Sequence, residues 1–443
     1  MDLIRSDDPH YDEARTVFNS MIDKRPAVIA KCGSAQDVIA ALELAASERM
    51  DVAVRAGGHS VAGMSLNDGG LVIDVRPMNE VSVDPKARTV RVGSGITWSD
   101  FDRATQEHGL AATGGRVSTT GVAGLTLGGG SGWLERSFGL TCDNLRSVDL
   151  VTADGRQITA SETEHPELFW ALHGGGGNFG VATSFEFNLH PVGPIVLAGL
   201  LIWPGDAGND VARVFRDHAF TAPDALGTAL VFLTGPPEEF MPEHLQGTPV
   251  VGIGVCWAGE PSDGEAAIAP FRDLKPAVDL VGPMPYADFQ CMIDDPPGHR
   301  NYWTAEYHDD FPDDALDVFV KYGHGLPSPV SQQLLLPWGG AVARVADDAT
   351  PMTKRNAPWI THPFAVWEDA TDDDACIAWA RGFRDDIAHH ANGGIYLNFI
   401  GNEGPERVRA AFGEEKYARL ATIKREYDPT NVFRGNQNIE PAI

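Results

Sequence analysis

Short β-branched runs closed by turn residues dominate the first 190 positions: AVIA (27–30), DVAVRAGG (51–58), LVIDV (71–75), TVRVG (89–93), SVDLVTADG (147–155) and VATSFEFNLH (181–190). Runs of this length and composition predict strands. Between some of them, apolar residues recur at three-to-four spacing over 34–50 and 97–109 and predict helices, with Ser34 and Thr97 or Ser99 as N-caps and Gly109 as a stop. Strand, helix, strand order argues for an α+β or α/β unit and against an all-β sandwich. The joint PVGP (191–194) closes this segment. Beyond it the runs lengthen and alternate, as in LAGLLIWP (197–204), TALVFLTGPP (228–237), VVGIGVCWAG (250–259), QQLLLPWGG (332–340) and PFAVWED (363–369). These predict an antiparallel sheet covered on one side by helices at 206–221, 262–275 and 372–390. One more amphipathic helix is expected at 414–427, ahead of the turn-rich YDPTNVFRGNQNI (427–439). The expected division is 1–193, 194–400 and 401–443.

Charge narrows the partners. The 443 residues carry 34 basic and 62 acidic side chains, a formal charge of −28, on a chain that is 43% hydrophobic. A core of ordinary size can form, and the negative surface argues against phosphate backbones and anionic lipid, so neither nucleic acid nor membrane is expected as a partner. The five cysteines are far apart and form no CxxC pair, which signals neither a disulfide framework nor a zinc site and fits a reducing cytoplasm. MDLIRSDDPHYDEA has no basic region followed by an apolar run, and no stretch of 18 apolar residues occurs, so neither a signal peptide nor a membrane span is expected. His389–His390, at the end of a helical run where positive charge suits the dipole, is expected to have no companion metal ligands.

Three glycine clusters carry the chemistry. VRAGGHS (54–60) runs from a strand into two glycines, a histidine and a serine; GLTLGGGSGWLERSFGL (124–140) holds Gly128, Gly129 and Gly130; HGGGGNFGVATSFEF (173–187) ends in a strand. Glycines after a strand let backbone N–H groups approach an anion closely. Three clusters in one unit predict a groove in which backbone lies against a flat or extended ligand. The spacing in VRAGGHS is not GxGxxG, no Lys-Ser/Thr follows any cluster, and no GxSxG occurs, which argues against a Rossmann fingerprint in the first cluster, excludes the P-loop and leaves an α/β-hydrolase elbow poorly supported.

In the order GGH, TGGRVSTTGVAGLTLGGGSGWL, GLTCDNL, LVTADG, ELFWALHGGGGNFGVATSFEF and YDPTNVFRGNQNI, the chain resembles FAD-binding domains of the vanillyl-alcohol-oxidase type, and its C-terminal segment resembles the berberine-bridge subgroup. The resemblance implies an α+β fold: a two-subdomain FAD-binding domain (1–193), a substrate domain with an antiparallel sheet covered by helices (194–400), and a berberine-bridge-like segment (401–443) that returns to the FAD domain. It implies that His59 is joined to the 8α-methyl of the flavin, with Gly57, Gly58 and Ser60 offering N–H groups to the pyrophosphate. Thr119, Thr120, Gly121, Gly124 and Leu125 should line the ring and pyrophosphate, Gly180 and Val181 should meet the ring or adenine side, and Asn436 should close over the cofactor. Some relatives add a cysteinyl link at the place where Val117 stands here, so the attachment is expected through His59 alone.

Relatives of the berberine-bridge type also place a tyrosine or carboxylate over the substrate side of the ring, on a strand reading YxN followed by an aromatic residue. GGIYLNF (393–399) offers Tyr396 as catalytic base, Asn398 beside it and Phe399 in the aromatic place. A tyrosine with an ordinary pKa of about 10 can serve as base only if something stabilises its phenolate. Members acting on an amine use acidic residues and a lysine on a middle strand, which the corresponding SQQLLLP (331–337) lacks. Tyr302, Trp303, Thr361 and His362 are further pocket candidates. The expected function is an FAD-dependent oxidase acting on a small alcohol, sugar, amine or natural-product intermediate, with O2 as electron acceptor and peroxide as product. Thr120 holds the place that controls oxygen access in relatives, and its small size favours that reading. A dehydrogenase using another acceptor and a flavin-binding protein without turnover are the alternatives. The oligomeric state is open.

Overall fold

In the computed structural model, which describes residues 1–294 and 297–443, the first 190 residues build two sheets. In the smaller one the neighbours run Asp2–Arg5, Val28–Lys31, Leu71–Asp74, Val52–Arg55. The last three strands pair in parallel, which requires a crossover, and the helix Ala35–Glu48 supplies it. Ser34 Oγ accepts the Asp37 N–H at 3.2 Å to start that helix, and Arg49 ends it in the left-handed region. Its buried residues Val38, Ala41, Leu42 and Ala45 fall at helical spacing and pack on Val28, Ala30 and Ile73. The second sheet is antiparallel, in the order Val81–Asp84, Thr89–Gly93, Val181–Asn188, Leu145–Val151, Gln157–Ser161. Thr97 caps the expected helix, which spans Trp98–Gln106, and Gly109 takes a positive φ of 63° just past it.

The larger sheet holds nine strands among the described residues. Its path is Val278–Asp279, Ile195–Pro204, Pro249–Trp257, Leu226–Thr234, Gln332–Pro337, Trp359–Trp367, Arg300–Trp303; Gly282–Pro285 lies along the second of these and Glu306–His308 along the sixth. All of its pairings are antiparallel, as the alternating runs predict. Helices Gly208–Ala219, Pro261–Arg272, Asp313–His324 and Asp373–Ile387 bury Phe215, Ile268, Phe319 and Phe383 against Leu201, Leu230, Ile253 and Leu335 on one face. The other face, with Ala198, Ala229, Cys256 and Leu336, packs on Trp133, Phe289 and the rest of the main core. Successive side chains on a strand point to opposite faces, so this sheet has a helix side and a side turned toward the glycine-rich unit.

The helix Asp313–His324 is not expected from sequence, and two C-terminal segments also differ from the sequence reading. GGIYLNF is not a strand: Tyr396 precedes a single 3-10 turn at Leu397–Phe399. The helix expected at 414–427 is the second half of Pro405–Tyr427, which bends at Gly413 where φ is 68°. After it the chain is tied down by a buried ion pair. Lys424 Nζ reaches Asp428 at 2.8 Å, both side chains being fully buried, and also donates to the carbonyls of Asn178 and Phe433. Asp428 accepts from the N–H groups of Val432 and Phe433. The turn DPTNVF is therefore a loop wrapped around one carboxylate and one ammonium. No helix among the described residues is long and apolar enough to cross a membrane.

Candidate active site

A cavity of about 390 Å³ lies where the three glycine clusters, the C-terminal loop and the open face of the large sheet meet. Gly57, Gly58, His59 and Ser60 line it directly after the strand Val52–Arg55, together with Thr120, Gly121, Gly124, Leu125, Gly180, Asn436, Tyr396 and Asn398. Two of the expected residues do not line it. Thr119 is exposed and turns its hydroxyl to His59, while Val181 is buried in the core under the helix Ala35–Glu48. Period-two alternation explains Val181: Gly180 takes the cavity side, so its neighbour takes the other. Val117 stands on the lining, where no cysteine does among the described residues.

The glycines divide into two kinds. At Gly57 a Cβ would sit 2.3 Å from the backbone N of Gly121, and at Gly121 a Cβ would sit 2.5 Å from that of Gly57, so these loops run back to back and admit no side chain. The triple glycine is crowded by protein as well: a Cβ on Gly128 would fall 2.0 Å from Asn398 Oδ1, and one on Gly129 would fall 3.2 Å from the Tyr396 ring. Those positions are small so that the segment carrying Tyr396 can dock. Gly124 and Gly177 are different, because both line the cavity and a Cβ on either would meet nothing within 4 Å. The vacant space at these two positions lies on the cavity side, as a cradle for an extended ligand requires. The N–H groups of Gly57, Gly58, His59 and Ser60 find no acceptor among the described residues, and Asn436 Oδ1 is buried without a partner. Free backbone donors in a glycine turn suit a pyrophosphate, so the residues present fit FAD. Gly124→Leu is expected to leave the fold intact, since leucine is a better helix former than glycine. It should lower FAD affinity by about tenfold or more, because the new side chain occupies the cradle. Flavin absorbance per protein, read beside the apoprotein melting curve, checks this; a full flavin complement would refute it.

His59 is positioned on three sides. Its ring stacks on Phe18 with centroids 4.3 Å apart, Nε2 lies 3.1 Å from Thr119 Oγ1, and Nδ1 lies 3.4 Å from Thr120 Oγ1. Burial pushes its pKa down to about 4, against the pull of Asp294, so the imidazole is neutral and keeps a nitrogen lone pair at neutral pH.

Tyr396 is fully buried, with only its oxygen engaged in polar contacts. That oxygen accepts the N–H groups of Gly130 at 2.7 Å and Ser131 at 2.9 Å and the Asn398 amide at 3.1 Å. Two of these donors are backbone groups of the triple-glycine loop that no side-chain pattern could reveal. Burial pushes the phenol above its ordinary range and the three donors pull the other way, with burial the larger effect. On the facing sheet wall, Gln332, Leu334 and Leu336 alternate along one strand, His362 and Phe364 along the next, and Trp303 lies opposite Phe364. Tyr302 and Thr361 have the opposite parity and turn away, toward Arg381 and His308 respectively. The sequence reading missed Arg116, which also lines the cavity. Its guanidinium donates to Ser131 Oγ and pairs with Glu135 at 2.8 Å behind the wall. His389 and His390 lie outside the cavity, and the expectation that they lack a companion is corrected: the turn of the chain brings Asp314 alongside them, its carboxylate 3.6 Å from His390 Nε2.

A glycine-built cradle for a dinucleotide, a neutral histidine at its mouth and a tyrosine oxygen held by three donors define a flavoenzyme. Residues 26–161 match the family of the FAD binding domain, and residues 395–440 match the berberine and berberine-like family. The (R)-6-hydroxynicotine oxidase of Paenarthrobacter nicotinovorans is 30% identical over 466 residues, covering 99% of this chain and 96% of that protein. An uncharacterized FAD-linked oxidoreductase of Bacillus subtilis is 30% identical over 460 residues, with 99% and 96% covered. The crystal structure of 6-hydroxy-D-nicotine oxidase from Arthrobacter nicotinovorans matches with a TM-score of 0.89 at 28% identity, covering 100% of this chain and 98% of that one. The chain belongs to the berberine-bridge-like family of FAD-linked oxidoreductases, and it is an FAD-dependent oxidoreductase.

Proposed function

We propose that the protein is an oxidase of a small organic molecule, with Tyr396 as the group that receives the substrate's O–H or N–H proton. Bound FAD supplies the redox chemistry, taking two electrons and a hydrogen from a substrate C–H and passing them to dioxygen, which becomes peroxide. The observation that carries the reading is Tyr396 on the cavity lining, with its oxygen surrounded by Gly130 N–H, Ser131 N–H and the Asn398 amide. Donors fixed around an oxygen stabilise the negative charge that proton transfer leaves there. The small Thr120 on the lining leaves access to the cofactor open and favours dioxygen over a larger acceptor. Anaerobic mixing with substrate should bleach the flavin, and admitting air should restore its colour with one peroxide per cycle. Bleaching that air does not reverse would make the protein a dehydrogenase; no bleaching by any alcohol, sugar or amine would make it a flavin carrier.

His59 is the proposed attachment point. Its neutral ring offers a nucleophilic nitrogen, and attachment to an imidazole raises the potential of the flavin. In acid-precipitated protein the yellow colour should stay in the pellet and travel with the peptide containing His59. In His59→Ala the colour should move almost wholly to the supernatant, although the native protein still binds FAD through the glycine cradle. Colour released from the unaltered protein would overturn the linkage.

A further inference from the structure

We propose that the substrate is a neutral, flat molecule bearing a hydroxyl group, and that His362 Nε2 receives this hydroxyl as a hydrogen-bond acceptor. The inference rests on the oxidoreductase reading of this cavity and names its substrate class.

The first observation is a fixed tautomer. His362 Nδ1 lies 2.9 Å from the carbonyl oxygen of Thr304. A carbonyl can only accept, so Nδ1 carries the hydrogen and, in the neutral ring, Nε2 carries the lone pair. Burial and the nearby Arg116 push the pKa of this histidine down to about 4, against the Thr304 carbonyl, which keeps the ring neutral. The one side-chain hydrogen bond of His362 among the described residues is that of Nδ1, which leaves Nε2 open, and the residue lines the cavity. The ring cannot swing away: it stacks on Phe399 at 4.4 Å with 8° between the planes, and it meets Trp303 and Phe364 edge-on at 5.7 and 5.5 Å. A lone pair held in this way costs a partner little ordering entropy.

The second observation concerns charge. Among the described residues no Asp, Glu or Lys lines the cavity, and Arg116 is the only formally charged side chain on it. Glu135, which neutralises Arg116, is 2% exposed and sits behind the wall. An ammonium group entering here would lose its water with no carboxylate on the described lining to replace it, since Glu135 is engaged with Arg116 and Asp294, whose charge is felt at His59, is engaged with Ser118, and that desolvation is unfavourable. A hydroxyl pays no such penalty and finds the acceptor it needs. Trp303, Phe364, Leu334 and Leu336 share this wall with Gln332, and its mainly aromatic and aliphatic surface suits a planar apolar body.

Racemic 1-(2-naphthyl)ethanol and the matched 1-(2-naphthyl)ethylamine test the idea on the flavin-loaded protein without oxygen, with binding read from the flavin absorption spectrum and bleaching followed separately. At neutral pH the alcohol should bind about tenfold or more tightly than the amine, which is then an ammonium. The amine should approach the alcohol only as pH rises and it loses its charge. His362→Phe should weaken alcohol binding about fivefold to tenfold, with flavin content and dithionite reduction unchanged. His362→Gln, which restores an acceptor, should recover part of the loss. Equal or tighter binding of the ammonium overturns the proposal, as do an unchanged alcohol affinity in His362→Phe and a failure of either probe to perturb the spectrum. Tight, His362-dependent alcohol binding with no bleaching by any substrate keeps the pocket assignment and removes the oxidoreductase turnover instead.

Discussion

Tyr396→Phe should bleach its flavin about 10²–10⁴-fold more slowly than the unaltered protein under anaerobic substrate, the range expected when a positioned general base is lost. The change is confined to one oxygen. The ring keeps its edge-on neighbours Trp338 at 5.7 Å and Phe399 at 4.7 Å, so the cavity wall and the flavin content should persist. Removing the oxygen strands the N–H groups of Gly130 and Ser131 and the Asn398 amide, which costs about 1–3 kcal/mol for each donor left without a partner. A modest fall in melting temperature therefore accompanies the slow bleaching and does not explain it. The pH profile separates the two. Burial holds the phenol above its ordinary value, so the acid form prevails at neutral pH and the competent phenolate fraction grows with pH. Below that pKa the rate should rise roughly tenfold per pH unit and flatten only in the far alkaline range. In Tyr396→Phe this rise should vanish. A Phe variant with full speed would remove Tyr396 from the chemistry.

Asp428→Ala should unfold the C-terminal loop and cost about 3–5 kcal/mol, because it leaves the Lys424 ammonium buried without its partner. For a chain of this size a loss of that order lowers the melting temperature by roughly 3–5 °C. Two backbone N–H groups, of Val432 and Phe433, lose their acceptor at the same time. Phe433, Gly435, Asn436 and Gln437 line the cavity, so flavin retention should fall with stability. Lys424→Met combined with Asp428→Asn should be milder than Asp428→Ala alone, since no unpaired charge then remains buried. Equal melting temperatures for Asp428→Ala and the parent would show that the ion pair contributes nothing.

Local pattern carried the strands and most helices of this fold because each is amphipathic in its own sequence. The helix Asp313–His324 escaped notice because DDALDVFVKYGH opens on the acidic run of residues 309–314 and mixes β-branched residues into a short stretch. GGIYLNF looks like a strand because Ile, Tyr and Phe favour sheets in general, yet its conformation is imposed by docking on the triple glycine, a contact 266 residues apart in sequence between Tyr396 and Gly130. The same distance hid the meaning of those glycines, which are small to admit protein where Gly124 and Gly177 are small to admit ligand. Motif order located His59, Tyr396 and Asn398. It could not separate Gly180 from Val181, nor Thr120 from Thr119, because which neighbour faces the cavity depends on local backbone geometry that the motif order does not specify. Arg116 had no signal at all, since one arginine in a loop becomes part of a wall only through Glu135 and Trp133.

The C-terminal loop also bears on how the holoenzyme is made. The cavity is walled by Phe18 near one end of the chain and by Gln437 near the other. Domains fold as units while synthesis proceeds at about 5–20 residues per second, so the glycine-rich sheets can form on the ribosome while the last wall of the chamber is still being translated. The flavin can be enclosed only after residue 437 has cleared the exit tunnel and Lys424 has met Asp428. Enclosure of the cofactor is therefore expected to follow synthesis of this loop, and a chain halted before it should hold its folded glycine-rich sheets without colour.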